Sequence, residues 1–474
     1  MSYAETCGIP STAMIITGFI PQAKLVAASQ GFPDLPISEY PDTMMTDSDE
    51  ELREKVVGVL CDNVVRSLTQ TPPPRKPRKK REPNLRDIIF EGSISEVNEF
   101  FYENLWTDGL PIIPPTLEEV DRFMEFTSRP ADEVIAKLPH ENRKATVWSV
   151  AVNGVMAGCR PEYMPLLLAA VEAISYTGIP GNLLDQGWRA EDTGTSPGWE
   201  PLIIVSGPLV KKLDFNCGQG ALRFGRQANT SFGRFLKLFL RNVGGFRIPP
   251  GSGDKGSLGQ SMNVAIAENQ DFVQELGWKT YQEERGFSAE DTCVTVLSSA
   301  YVSAPCYTSG DEPEQHLEIL SEEICEKQFG IFSTWGVHTF RLEPVLMLAP
   351  PVAQIFAEHG LSKQDVRDYL YRNSHVTAGQ MERHWHDFNG LDFDMYARAK
   401  NGKIPPVYGE SNDPQRPIPV FLNNKTLQII VAGDPARAQS KGFMQSGYIA
   451  PATSRKVCLP ENYDELIAKQ KERT

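Results

Sequence analysis

Cysteine and histidine are scarce in this chain, with eight and seven in 474 residues. The thiols fall at Cys7, Cys61, Cys159, Cys217, Cys293, Cys306, Cys325 and Cys458, and no two have C-x-x-C spacing. That excludes the usual zinc and dithiol redox motifs. Most of these thiols read as small core residues in a reducing, cytoplasmic setting. Positive charge is also in deficit, with 47 Lys and Arg against 61 Asp and Glu and a net charge of −14. Nucleic acids and anionic membrane surfaces would be repelled, so neither is an expected partner. Long apolar runs are missing too. None approaches the roughly 20 residues needed to cross a bilayer, and residues 1–20 do not read as a signal peptide. What remains is ordinary globular composition, 41% hydrophobic and 23% charged, at a length for two or three domains. A small molecule is the expected partner.

One stretch cannot form a core. TPPPRKPRKKREP, Thr71 to Pro83, combines prolines with mutually repelling cations and reads as a solvated linker. Nuclear import through residues 75–81 is the sharper alternative. The linker, taken as 71–84, separates a front unit (1–70) from a large domain (85–474). In the front unit, Ala13–Thr17 and Leu35–Tyr40 read as strands and Pro21–Gln30 as a helix. Ser48 with Glu51 forms a capping box that opens a helix to about Leu68. A unit this small is marginal alone, so a partner subunit, a second copy or the large domain is expected against it.

In the large domain, Leu202–Val205, Val294–Leu297, Val345–Leu348 and Leu427–Val431 are continuous apolar runs ending in small or turn residues. Such runs predict strands covered on both faces. Helices fit Thr146–Met156, Tyr163–Ile174, Phe232–Asn242, Glu314–Lys327, Val352–Glu358, Lys363–Arg372 and Tyr463–Lys471. The fold class is therefore α/β or α+β, with strand order open.

Several residues invite chemistry. Gly158-Cys159-Arg160-Pro161 breaks two apolar helices and sets Cys159 before a helix start and beside a cation, where a thiolate is favoured. The alternative is a small residue filling a tight corner. Asn153 lies one to two turns earlier and could aim an amide at the same place. In NCGQGALRFGRQANTSFGRF, a glycine-loosened loop carrying Cys217 precedes a helix start. Asn229, Ser231 and Arg234 could hold an anion there, and a purely structural loop is the competing reading. Leu105–Pro115 is a rigid proline-rich loop that could line a pocket, with Trp106 as wall and Asp108 as polar group, or simply lead into the domain. Glu268 is a candidate general base with nothing in its spacing to separate it from a surface acid. His384 and His386, with His375 nearby, offer a weak metal reading, and no metal site is expected. His338 reads as structural. The sequence identifies no cofactor.

The chain resembles the UGSC family of selenocysteine- or cysteine-containing proteins joined to its usual large companion domain. The front-unit match is CGIPSTAMIITGFIPQAKLVAASQGFPDLPISEYP, Cys7 to Pro41. The pattern is similar to that around the redox motif of selenoprotein B of glycine reductase. The large-domain match runs through LWTDGLPIIPPTLEEVDRFM, TVWSVAVNGVMAGCRPEYMPLLLAAVEA, NTSFGRFLKLFLRNVGG, IAENQ and LSKQDVRDYL. The family's namesake turn, selenocysteine or cysteine followed by Gly-Ser-Cys, is expected upstream of Gly8 and is not in this sequence. Cys7 is not carried over as the redox residue. Gly433-Asp434-Pro435-Ala436 stands where a glycine-rich turn is expected. The place of Cys159 before a helix start, with the Asn229–Arg234 loop to hold an anion, leads to the expectation of an enzyme of thiol-dependent reductive or lyase type acting on a small carboxylate-bearing substrate. Cys159, Asn153 and Glu268 would be catalytic. Trp106, Asp108, Cys217, Asn229, Ser231 and Arg234 would bind substrate. A non-catalytic subunit or small-molecule-binding protein that has lost the redox motif is the other expectation.

Overall fold

A computed structural model describes residues 4–5, 7–29, 32–42, 44, 47–69, 84–138, 143–174, 200–245, 264–330, 333, 343–389, 392–445 and 452–473. The linker through residue 83, its basic stretch 75–81 and His338 lie outside the described residues.

The front unit is a parallel β-α-β turn. Strand β1 (Ala13–Ile16) pairs in parallel with β2 (Ile37–Tyr40), and the helix Ile20–Ser29 makes the crossover. Ser48 caps the following helix from Asp49 through the capping box expected from Glu51. The large domain begins with helices Ile94–Glu103 and Leu117–Met124 and a hairpin of β3 (Val134–Leu138) with β4 (Arg143–Thr146).

The main sheet takes β5 (Glu200–Ser206), β6 (Ile266–Ala267), β7 (Cys293–Val302), β8 (Cys306–Tyr307) and β9 (Val345–Leu348). A separate pair, β10 (His375–Thr377) with β11 (Pro417–Pro419), precedes β12 (Gln428–Val431), β13 (Gln439–Gln445) and β14 (Thr453–Lys456). The sheet has eight strands in the path β12-β9-β13-β7-β5-β6, with β14 on β7 and β8 on β13. Pairing is mixed. β12 with β9 and β5 with β6 are parallel, whereas β7 runs antiparallel to β5 and β13.

Alternation along the strands shows the sheet curling. Leu202, Ile204, Ile266, Leu297, Val345, Met347, Ile430 and Phe443 share one inner cluster, which Tyr281 joins. The intervening residues Ile203, Val205, Val294 and Val296 face an outer helical layer, and Leu346, Leu348, Ile429 and Val431 face another. Both faces are covered, which is why these strands read as continuous apolar runs. The curl brings the edges together, since the Asn269 amide after β6 donates to the Val431 carbonyl of β12 at 2.9 Å.

The first outer layer holds the apolar helices Val147–Ala157 and Met164–Ala173. They cross at Gly154, where a Cβ would meet Leu167 Cδ1 at 2.7 Å. Glycine is therefore required at that contact, despite its cost within a helix.

Candidate functional site

The Gly158–Pro161 corner is a helix stop, and its details weigh against the expected thiolate. Gly158 adopts the left-handed conformation (φ 79°), and its amide donates to the Val155 carbonyl at 2.9 Å. The Cys159 amide donates to the Gly154 carbonyl at 3.0 Å. This pair of bonds is a Schellman motif, in which the residue after the glycine commonly supplies an apolar contact. Cys159 is that contact. It closes the end of one helix rather than opening the next, because a short 3-10 turn, Pro161–Tyr163, comes before Met164. The residue is 8% exposed. Burial pushes its thiol up to about 12, outweighing the smaller pulls of Ser231 and Arg234. Desolvation penalises the anion more than these neighbours favour it.

The expected anion loop is brought together but satisfies itself. The helix Gln227–Phe239 starts earlier than the sequence predicts, so Asn229 lies within it. The Asn229 side chain accepts from the Asn216 amide at 2.7 Å and donates to the Asn216 and Ala265 carbonyls at 3.0 and 2.9 Å. Ser231 donates to the Gln227 carbonyl. Arg234 does meet a carboxylate, but it is the chain's own Asp108. Nε and Nη2 reach Oδ2 and Oδ1, each at 2.8 Å, and Nη2 also bonds the Pro111 carbonyl at 2.9 Å. The proline-rich loop is thus pinned to the helix by a bidentate ion pair. Burial raises the Asp108 carboxyl, but the Arg234 guanidinium outweighs burial and holds it below the usual carboxylate range. Cys217 is half-buried, and its carbonyl accepts from Gly433 at 2.9 Å. Burial pushes its thiol up, and the Asp271 and Glu268 carboxylates add to the rise.

Glu268 is far from a surface acid. It follows β6 and is fully buried. Oε2 accepts from the Ser206 hydroxyl at 3.1 Å and from the Tyr281 amide. Oε1 accepts from Lys363 Nζ at 3.1 Å. Lys363 opens the helix Lys363–Asn373 and also lies 3.6 Å from Glu284 Oε2, which Arg367 Nη2 holds at 2.8 Å. Lys363 and Arg367 are 3% and 8% exposed. Two carboxylates and two cations therefore form one buried chain, the arrangement that buried charge requires.

The cations of this chain form part of a cavity wall. A space of about 580 Å³ is lined by Lys363, Arg367 and Glu284, with Lys279, Arg285 and Lys425 around it. Arg285 leads inward, donating to the Ala452 carbonyl at 2.8 Å and the Ser454 hydroxyl at 3.0 Å. Nη1 lies 3.6 Å from Glu343 Oε2. Burial raises the Glu343 carboxyl, and Arg285 opposes the rise. At the inner end, the Tyr281 hydroxyl donates to Gln428.

A second cavity, of about 1080 Å³, lies on the outer helical layer. Trp106 and Asn153 line it, beside Trp148, Asn242 and Met156. No cysteine lines either cavity among the described residues. His384 and His386 lie on the helix Ala378–Asn389. Among the described residues, no group of three or more His, Cys, Asp or Glu could hold a metal ion.

Residues 3–70 match the model of the UGSC family. The N-terminal unit is a UGSC-family unit. The match ends before the linker, so both cavities lie outside it. Neither curated proteins nor solved structures give a match to the chain. Cys7 of the UGSC unit is exposed, in a turn ahead of β1. Among the described residues, no helix is long and apolar enough to cross a membrane.

Sequence reasoning missed Lys363, Arg367, Glu284 and Arg285. One signal was available. Lys363 and Arg367 stand four apart on the face that also carries Val366 and Leu370, which are buried. Two cations in line with a buried helical stripe call for partners.

Proposed function

We propose that the large domain binds a small carboxylate-bearing molecule in the cavity at the sheet seam and acts on it by lyase-type proton transfer. The observation that carries this reading is the placement of Lys363 and Arg367. Both are almost wholly buried, both line the cavity, and carboxylates brace them from behind. Cations held this rigidly, with water largely excluded, recognise a carboxylate with little cost in reorganisation. Arg285, Lys279 and Lys425 extend the positive lining, while Glu283 and Glu284 supply acid-base groups. Thr280 hydrogen bonds hold the Glu283 carboxyl below its usual range, and Glu284, the carboxylate paired with Arg367, is assigned as the proton acceptor.

The thiol-dependent alternative has weaker support. Cys159 is sealed in a helix stop, and the half-buried Cys217 lines neither cavity. A purely binding role needs the same cavity without turnover.

Titration calorimetry on the full chain tests the reading, with succinate, malate and citrate as probes and succinamide as the uncharged control. Binding of at least one carboxylate, with none of succinamide, is expected. Combined Lys279→Gln and Lys425→Gln changes leave the buried chain intact. Together they should weaken binding about five- to thirtyfold, since each half-screened cation contributes roughly 0.5–1 kcal/mol. Failure of all three acids to bind, or affinity indifferent to both substitutions, overturns the proposal.

A further inference from the structure

The cavity on the outer helical layer is bridged by a strap. Residues 84–92 cross it and are tied at two points. Arg86 makes a bidentate ion pair with Asp121 at 2.7 and 2.8 Å, and its guanidinium lies 5.1 Å over the Trp148 ring. Phe90 stacks on Phe100 with centroids 4.5 Å apart. Beneath the strap the walls include Phe101, Trp106, Trp148, Val152 and Met156. These walls offer flat apolar surfaces, and the charged residues of the lining are Asp87, Glu91, Glu119 and Arg143.

The polar end is specific. Asn242 Nδ2 donates to the Trp106 carbonyl at 3.1 Å and to Asn153 Oδ1 at 2.9 Å. Asn153 is oriented in turn by its own Nδ2, which donates to the Ser149 carbonyl at 2.9 Å. These two acceptors settle which end of the Asn242 amide is nitrogen. Asn242 Oδ1 is left buried and without a hydrogen-bond partner, on a residue that lines the cavity. A buried acceptor in that state costs free energy until a donor reaches it.

We infer that this cavity is a second ligand site, taking a neutral aromatic molecule whose N–H or O–H donor pairs with Asn242. It is distinct in chemistry and place from the cationic cavity, and it stands or falls without it. Asn153 and Trp106 are positioning residues here, fixing the amide and walling the ring.

The test uses benzamide and methyl benzoate on the full chain. The two share a ring and a carbonyl, but only benzamide carries an N–H donor. Calorimetry and quenching of tryptophan emission should show benzamide binding about tenfold more tightly, the effect of one hydrogen bond to an otherwise unpaired acceptor. Asn242→Ala should erase that preference. Val152→Phe, which puts a second ring into the space beside Asn153 and leaves Asn242 in place, should weaken binding of both. Should Asn242→Ala fail to fold, the two probes on the natural chain and Val152→Phe still decide. Equal affinities, undiminished binding to Val152→Phe, or no binding at millimolar probe by folded protein overturns the inference. The last result would mean the acceptor is met by water alone. The Lys279→Gln and Lys425→Gln changes leave benzamide binding unchanged.

Discussion

Replacing Lys363 by Met leaves a fully buried carboxylate without its cation. The perturbation is cleaner than it first appears, because the ion-pair chain is asymmetric. Glu284 keeps Arg367 at 2.8 Å, so it is not stranded. Glu268 keeps only the neutral donors Ser206 and the Tyr281 amide. Removing one partner of a buried pair costs about 3–5 kcal/mol, most of it the penalty of the charge left behind. The reverse change, Glu268→Gln, is milder. Lys363 still has Glu284 at 3.6 Å, and the glutamine oxygen can still accept from the Tyr281 amide. Its cost should be about 1–3 kcal/mol, in the range of an imperfectly replaced buried hydrogen bond. The double variant, Lys363→Met with Glu268→Gln, has no stranded charge and should cost about as much as Glu268→Gln alone. The coupling energy is then about 3–5 kcal/mol in favour of the pair, equal to the whole cost of Lys363→Met. Urea unfolding of the four proteins, followed by far-ultraviolet circular dichroism, measures all of this. A Lys363→Met cost below about 1 kcal/mol, or costs that simply add in the double variant, would refute the reasoning.

Two further outcomes follow from the helical layer. With its thiol pushed up to about 12, Cys159 should be alkylated by iodoacetamide at pH 8 far more slowly than the exposed Cys7, Cys61 and Cys458. Mass mapping that finds Cys159 among the fast sites would reinstate the activated-thiol reading. Asp108→Asn should lower stability by about 1–2 kcal/mol at pH 7, because it unpairs Arg234 in a partly buried setting. The Asp108 carboxyl lies below its ordinary value in the folded protein. Its contribution is therefore complete above about pH 4 and is lost as pH falls through the folded value. Natural chain and variant should converge in stability once pH has fallen below the folded value, and a gap that persists in acid, while both proteins still fold, contradicts the assignment.

Much of the architecture was legible, and the reason is physical. Val345–Leu348 and Gln428–Val431 are buried on both faces, so their runs are apolar apart from the hydrogen-bonded Gln428, and both strands stand where the sequence places them. Thr146, Ser48 and Ser362 cap their helices by local bonds alone, and local bonds are what a sequence displays. The β13 strand, QSKGFMQ, was invisible because serine, lysine and glycine break the apolar pattern. Its place in the sheet is fixed by two neighbours, β7 and β9, which are remote in sequence.

The site residues divide along the same line. The sequence singles out Asp108 and Arg234 as polar groups at rigid positions, but their 126-residue separation hides that they bind each other. Cys159 shows a subtler failure. Gly-Cys-Arg-Pro is compatible with the end of one helix or the start of another, and the electrostatic consequences are opposite. Only the amide bonds back to Gly154 and Val155 decide it. Lys363 reads in the sequence only as the start of a helix, and its face on that helix carried the information that its place at the start did not.

The seam of the curled sheet accounts for a polar cavity at this place. Strand β6 is two residues long and cannot close a ladder against β12. Among the described residues, one backbone bond, Asn269 to Val431, joins the two edge strands. The gap is filled by the segment around Tyr281 and by the helix from Lys363, whose backbone and side chains bring polar groups into the interior. Each such group needs a partner. Glu268 answers the Tyr281 amide and the Ser206 hydroxyl, Lys363 answers Glu268, and Glu284 answers Lys363 and Arg367. Closing the sheet with a short strand therefore commits the fold to a fixed set of charges at its mouth. A carboxylate ligand uses charges that the architecture already has to hold, and the rigidity that the fold demands of them is the same rigidity that selective binding needs.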